Sequence, residues 1–367
     1  MKSPKPIRGV TKYGDKGLYN KESFANLNIP GECIPNLVQA ANHSLSKNTW
    51  SAYRTAERML ARCQNETNVS MDLPLNEQRV LIFVSWLISR NLSTSTINTY
   101  LAGLRQVHLA NGVNLPILRT PVVDQVLEGR KHLDAIRNNL GETAKRLPVT
   151  PNVMKLIKAE LHAGNFSIEK KLLVWSVSTL AFAGSFRIHE ILCRNINFYD
   201  PVFTLLQKDI KLKEIKVESQ IIEILQVKIK SEKSDRVGVN TIVDVYSSGG
   251  CLCPVRAYKK FKRISKLDDN SKPAFREETG APLTGRGFNT YLKTLLSPHL
   301  DYSIGSITAH SFRAGLPSMM GKLGYVDEEI MAVGRWSSRA FENYLKLPRT
   351  KRLAMAKHLG SLDICNP

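Results

Sequence analysis

Hydrophobic periodicity changes character partway along this chain, and that change limits the folds open to it. Between residues 44 and 138 apolar side chains recur at helical spacing. Val80, Phe83, Val84, Leu87 and Ile88 fall at i, i+3, i+4, i+7 and i+8, the stripe of a helix with one buried face. Trp50, Tyr53, Glu57 and Leu60 share one side of a helix starting near Ser46. A third helix opens at the Ser93–Thr96 cluster, whose hydroxyls can cap it, continues through Ile97, Tyr100, Leu101, Leu104 and His108, and stops at Asn111-Gly112. Val122, Val126 and the segment Leu127-Glu128-Gly129-Arg130 predict a fourth. Residues 44–138 are therefore expected to form a compact bundle of four or five helices. Residues 1–43 hold eight Pro or Gly and little periodicity, and read as a mostly irregular basic leader.

After a polar linker at 139–151, helical patterns near 152–162 and 168–183 give way to strict alternation. Leu225, Val227 and Ile229 face one way, and Gln226, Lys228 and Lys230 the other. A polar turn, Ser231–Asp235, follows, and Val237, Val239, Thr241, Val243 and Val245 alternate back. That pattern is a β-hairpin with Lys233 at or near its tip. Helical pattern returns from about Pro254 and again from Thr308. The expected class is mainly α with a small β-sheet or hairpin. A helical bundle precedes an α+β domain over 152–350, with a tail at 351–367.

Composition narrows the class further. A length of 367 residues fits two domains. Hydrophobic residues at 43% and charged residues at 23% exclude wholesale disorder. The longest apolar candidate, Leu172–Gly184, is shorter than the ~18–20 residues a membrane span needs, so a buried helix is expected there and no membrane partner. The N-terminus lacks the apolar core of a secretory signal, so the six cysteines are expected as reduced thiols. Cys251-x-Cys253 has no second pair at zinc-site spacing, and no metal site is expected. The net charge is +20, and both halves are basic: 19 Lys and Arg against 11 Asp and Glu over 1–150, 33 against 21 over 151–367. Two basic halves suit a polyanion gripped by both domains, with nucleic acid the first candidate.

Three segments of the second half stand out. Phe182-Ala-Gly-Ser-Phe-Arg187-Ile-His-Glu190 sets an arginine after a glycine turn and at the start of a helix. In Thr308-Ala-His310-Ser-Phe-Arg313, i, i+3 spacing puts His310 and Arg313 on one helical face. In Val333-Gly-Arg335-Trp336, a turn leads to a helix carrying Tyr344, 31 residues after Arg313.

The order Arg, hairpin Lys, His-x-x-Arg, Gly-Arg-Trp, Tyr resembles the tyrosine recombinase, or phage integrase, family over roughly residues 44–350. The Gly-Arg-Trp form most resembles recombinases of eukaryotic mobile elements of the DIRS, Ngaro and Crypton kinds. The resemblance implies a SAM-like core-binding domain followed by an α+β catalytic domain, forming a C-shaped clamp on double-stranded DNA. It implies a homotetramer on synapsed sites, no cofactor, and a nuclear location in a eukaryote or a cytoplasmic, nucleoid one otherwise. Lys233-Ser-Asp resembles the Lys-Thr-Asp of the mobile-element branch and favours Lys233 over Lys228 and Lys230. Glu190 resembles the acidic residue that orients the first arginine. Many family members carry a histidine where Arg335 stands, nine residues before the tyrosine, so either Arg335 or Trp336 fills that role.

The chemistry accounts for these residue types independently. Cleaving a phosphodiester builds charge on its non-bridging oxygens, and guanidinium forks such as Arg187 and Arg313 stabilise it. Ionising a tyrosine at pH 7 costs about 4 kcal/mol, so Tyr344 needs a base or cation, with His310 the candidate. The leaving 5′-oxygen needs a proton, which a hairpin lysine can deliver. Such a reaction needs neither metal nor ATP. A type IB topoisomerase-like enzyme and a non-catalytic DNA-binding regulator are the alternatives. Arg54, Arg58, Arg62, Arg105 and Arg130 lie off the apolar stripes as candidate DNA contacts. Lys259 and Lys260 belong to a basic helix that suits phosphate contact, nuclear import or simple solvation. The tail after Tyr344 docks on a neighbouring protomer, as the resemblance implies, or packs in cis.

Overall fold

A computed structural model describes residues 18–113, 118–139, 147–217, 219–230, 241–265, 269–299 and 307–336. The chain divides into two compact units, residues 1–143 and 144–367.

The first unit is helical. It comprises α1 (Ile34–His43), α2 (Lys47–Thr67), α3 (Glu77–Ser89), α4 (Thr94–Ala110) and α5 (Pro121–Asn139). Side-chain oxygens of Ser46, Asn76 and Ser93 accept the N–H of Thr49, Arg79 and Thr96, capping α2, α3 and α4. Each cap contributes about 1 kcal/mol by satisfying an amide the helix leaves open. Leu60, Phe83, Val84, Leu87, Ile97, Leu101, Val123 and Leu127 fill the core. His108 is a satisfied core residue: its Nε2 accepts the Leu75 N–H at 3.0 Å, and Nδ1 lies 2.7 Å from the Leu104 carbonyl.

Within the stretch expected to be mostly irregular, Lys21–Phe24 and Gly31–Cys33 form 3-10 turns and Ile34–His43 forms α1. Leu18 packs with Trp50, Val107 and Ala110, and the Trp50 indole donates to the Asn42 carbonyl at 2.9 Å. Pro35, one of the eight Pro or Gly of residues 1–43, stands in the first turn of α1. There its missing N–H costs nothing and its fixed φ favours the helix.

The second unit contains α6 (Pro151–Ala163), α7 (Ile168–Ala183), α8 (Ile188–Ile191), β1 (Ile210–Val217), β2 (Gln220–Ile229), β3 (Thr241–Tyr246), α9 (Pro254–Ile264), α10 (Gly285–Leu296), α11 (Ser311–Leu323) and α12 (Asp327–Gly334). Helix α7 is buried from Leu173 to Phe182, as an apolar helix too short for a membrane should be. Among the described residues no helix is long and apolar enough to cross a membrane.

The antiparallel sheet runs β1-β2-β3. Leu225 pairs with Val245 and Val227 with Val243, the register the alternation requires, and Leu225, Val227 and Ile229 are buried. Strand β1 pairs Leu212 with Leu225 and was not read from the sequence. It is an edge strand with exposed Lys211, Lys213 and Lys216, so its burial pattern is weak. Helix α10, also unread, buries Phe288, Leu292, Leu295 and Leu296.

Candidate active site

The first of the three segments begins where α7 ends. Gly184 lets the chain turn tightly, since a Cβ there would lie 2.1 Å from the Phe186 ring. Ser185 follows at φ 46°, the left-handed region that costs a non-glycine residue about 1–2 kcal/mol. The turn delivers Arg187 to the N-cap of α8. Glu190 reaches back to it: Oε2 accepts the Arg187 N–H at 2.9 Å, and Oε1 accepts Nη1 at 2.8 Å. The Glu190 side chain is 2% exposed and that of Arg187 25%, so the carboxylate is buried and the guanidinium looks outward.

The third segment closes on the same carboxylate. Arg335 caps α12 at φ 53° and donates Nη2 to Glu190 Oε2 and Nη1 to the Gly184 carbonyl, both at 2.9 Å. Its guanidinium stands 4.9 Å from the Phe186 ring centroid. One buried carboxylate thus holds two arginines from segments 145 residues apart.

Arg313, on α11, joins the first and third segments. Its Nη1 donates to the Ser185 carbonyl and its Nη2 to the Gly334 carbonyl, both at 2.8 Å. Ser185 Oγ returns a bond to the Arg313 carbonyl at 2.8 Å. The Trp336 ring lies 4.9 Å from the guanidinium, and Arg313 is only 3% exposed. The sequence expects Arg313 in a phosphate clamp. In this conformation its fork grips protein carbonyls.

His310 stands exposed at the N-cap position of α11, and its imidazole does not cap the helix. Its charge reaches His189, a residue that lies inside Arg187-Ile-His-Glu190 and that spacing alone does not single out. Burial lowers the His189 pKa from its ordinary value, and the charges of Arg194 and His310 lower it further.

The structure therefore brings together Arg187, Glu190, His310, Arg313, Arg335 and Trp336. Lys233 and Tyr344 lie outside the described residues. Of the other two hairpin lysines, Lys230 is engaged by the protein. Its Nζ sits 2.5 Å from Asp209 and 3.0 Å from the Pro201 carbonyl, so it ties the chain just past β2 to the 201–209 segment. Lys228 is exposed on β2.

The expected DNA contacts separate in the same way. Arg58, Arg62 and Arg105 are exposed and Arg54 is half-buried. Arg58 donates to Thr55 Oγ1 at 2.9 Å, and Arg62 lies 3.9 Å from Glu66. Arg130 is a correction. It is buried, 2.9 Å from Asp134 and bonded to the Leu92 carbonyl at 3.4 Å, so it holds α5 to the bundle and is not available at the surface. Lys260 is exposed beside Lys262 and Arg263, opposite buried Val255, Tyr258 and Phe261; Lys259 pairs with Glu223. Among the described residues no three His, Cys, Asp or Glu group as metal ligands.

The same architecture occurs in solved structures. XerH site-specific recombinase bound to a palindromic difH substrate superposes with a TM-score of 0.57 at 11% identity, over 96% of this chain and 91% of that one. The Tn1549 transposon integrase, in complex with transposon right end DNA, gives 0.56 at 12% identity, over 89% and 98%. A lambda integrase dimer bound to a core site gives 0.54 at 12% identity, over 84% and 74%. The fold is that of tyrosine recombinases. No protein-family model matches the sequence, and no curated protein does. At this identity the likeness is one of architecture, and function has to be argued from the site.

Proposed function

We propose that the protein is a site-specific DNA recombinase that cleaves and rejoins duplex DNA through a 3′-phosphotyrosine. The observation that carries this reading is Glu190, a buried carboxylate holding Arg187 and Arg335 at a point where Arg313 also arrives. Fixed guanidiniums around a buried anion make a preorganised oxyanion site, which in a partly dehydrated setting stabilises phosphoryl charge better than water does. Arg187 meets the phosphate first, being the most exposed of the three. Arg313 joins it when the turn at Gly334–Trp336 gives up its carbonyl bond.

Tyr344 attacks the phosphorus, the bond to the 5′-oxygen breaks, and Lys233 protonates the departing oxygen. His310 accepts or shares the tyrosine proton. Attack by the 5′-hydroxyl of another end reverses each step. The reading extends to a homotetramer on two synapsed sites, to an element of the eukaryotic mobile-element branch and to action in the nucleus. Support for it comes from the Gly-Arg-Trp and Lys-Ser-Asp motifs and from the positive charge of both halves.

Duplexes carrying the element's terminal sequence and a nick beside the scissile phosphate trap the intermediate. A covalent protein–DNA adduct is expected with the wild type and none with Tyr344→Phe. An adduct that survives that substitution removes Tyr344 as nucleophile. Tight binding with no adduct on any cognate end leaves a DNA-binding regulator instead.

A further inference from the structure

Helix α10 belongs to none of the three segments, yet its first turns touch His189 and the backbone residue before His310. Gly285 begins the helix beneath His189. A Cβ at 285 would lie 2.9 Å from His189 Cε1 and 3.3 Å from Nδ1, so the imidazole sits directly on the glycine backbone. One turn further on, Asn289 Oδ1 accepts the N–H of Ala309 at 2.7 Å. Ala309 is buried and immediately precedes His310.

The N-terminal end of α10 is itself fixed to the chain leaving α8. Cys193 N–H donates to the Leu283 carbonyl at 3.2 Å, and Gly285 N–H donates to the Cys193 carbonyl at 3.3 Å. A single helix therefore holds the segment of Arg187, His189 and Glu190 through its N-terminal end, and the turn of His310 through Asn289. Burial first, and then the charges of Arg194 and His310, hold the His189 pKa below its ordinary value.

We infer that Asn289 is a positioning residue for His310, setting that imidazole against His189 and, through α8, against Arg187. An amide side chain suits the task. Its oxygen accepts a backbone N–H without adding a charge that would disturb two neighbouring histidines. The bond spans 20 residues of sequence and is made by an exposed asparagine on the polar edge of an amphipathic helix, so helix packing alone does not require it. Its part in catalysis rests on the recombinase reading. The placement of His310 against His189 does not.

The test uses the full chain with Asn289→Leu, which loses the acceptor, and Asn289→Asp, which keeps it. In the free protein, imidazole NMR follows the titration of His189 and His310. On the nicked duplex at saturating protein, the first-order rate of adduct formation is followed at about pH 8.5, where a histidine beside an added carboxylate is still mostly neutral. For Asn289→Leu we expect the mutual influence of the two titrations to vanish. Its adduct rate should fall at least tenfold while the DNA dissociation constant stays within twofold. Asn289→Asp should recover the rate to within threefold of wild type.

Wild-type titration and wild-type rate in Asn289→Leu would overturn the inference. So would an Asn289→Asp protein as slow as Asn289→Leu. If the wild type itself forms no adduct, the recombinase reading falls and the titration alone decides: coupling lost in Asn289→Leu upholds the placement, and coupling retained refutes it.

Discussion

Two arginine–carboxylate sites, an Arg130–Asp134 pair in the first unit and Glu190 with its arginines in the second, are built with opposite polarity. In the first unit the cation is inside: the Arg130 side chain is 5% exposed and that of Asp134 20%. In the second the anion is inside, with Glu190 at 2% and Arg187 at 25%. Asp134 is satisfied from within the bundle by the Thr94 N–H and hydroxyl at 2.8 and 2.7 Å, and the pair ties α5 to the start of α4. Glu190 is satisfied by two arginines, one of which presents its far edge outward. A brace and a binding site use the same chemical pair. What separates them is which member is left facing water.

Glu190→Gln breaks the site pair most directly. It removes the anion while leaving two guanidiniums in place, and uncompensated partly buried charge costs about 3–5 kcal/mol. Chemical denaturation should show a loss of that order, and adduct formation should fall by at least a hundredfold. Wild-type adduct rates in this variant would mean that Glu190 does not organise the arginines. Arg130→Met tests the brace, with an expected stability loss of about 3 kcal/mol from stranding Asp134. Its adduct rate per folded molecule should equal wild type, and a rate defect in the folded fraction would contradict a purely structural role.

Arg187→Lys keeps the charge and loses the planar fork. Stability should change by less than about 1 kcal/mol, because this side chain is partly solvated, whereas adduct formation should fall by ten- to a hundredfold. Equal losses in both would erase the contrast with Arg130. The smallest effect is in pH. Burial pushes the Asp134 carboxyl up, but the Thr94 bonds and the charges of Arg130 and Arg137 outweigh it and hold the pKa below the ordinary 3.8. The stabilisation is thus fully present above about pH 3.8 and drains away as pH falls through the lowered value. Asp134→Asn should flatten that part of the acid-unfolding curve, and an unchanged curve would show that the pair carries no such linkage.

Local signals were legible in several single elements, although the edge strand β1 and helix α10 escaped. Ser46 and Ser93 cap as hydroxyls before apolar stripes do, and the alternation from Leu225 placed β2 and β3 in register. Arg130 was misread against its own stripe. It follows Val122 and Val126 at i+8 and i+4, and the buried Val123 and Leu127 at i+7 and i+3, so the helical period itself turns it inward. The residue types of the candidate site could be named because the proposed phosphoryl chemistry would demand them. Their partners could not: the Arg335–Glu190 bond and the Arg313 grip on Gly334 join distant segments, and no spacing encodes such closures. Asn289 and His189 escaped for the same reason, since each matters only through a neighbour.

The hooks on Gly334 and Arg335 also fix where the chain leaves the site. Tyr344 follows Trp336 by eight residues, and a fully extended chain of that length reaches at most about 29 Å. On the proposed mechanism, every phosphate attacked must therefore lie within that backbone reach plus the length of the tyrosine side chain from the Trp336 anchor, whichever copy of the protein holds the DNA. Lengthening or shortening that tether changes that distance, and with it the set of strands within reach, while leaving the arginines untouched.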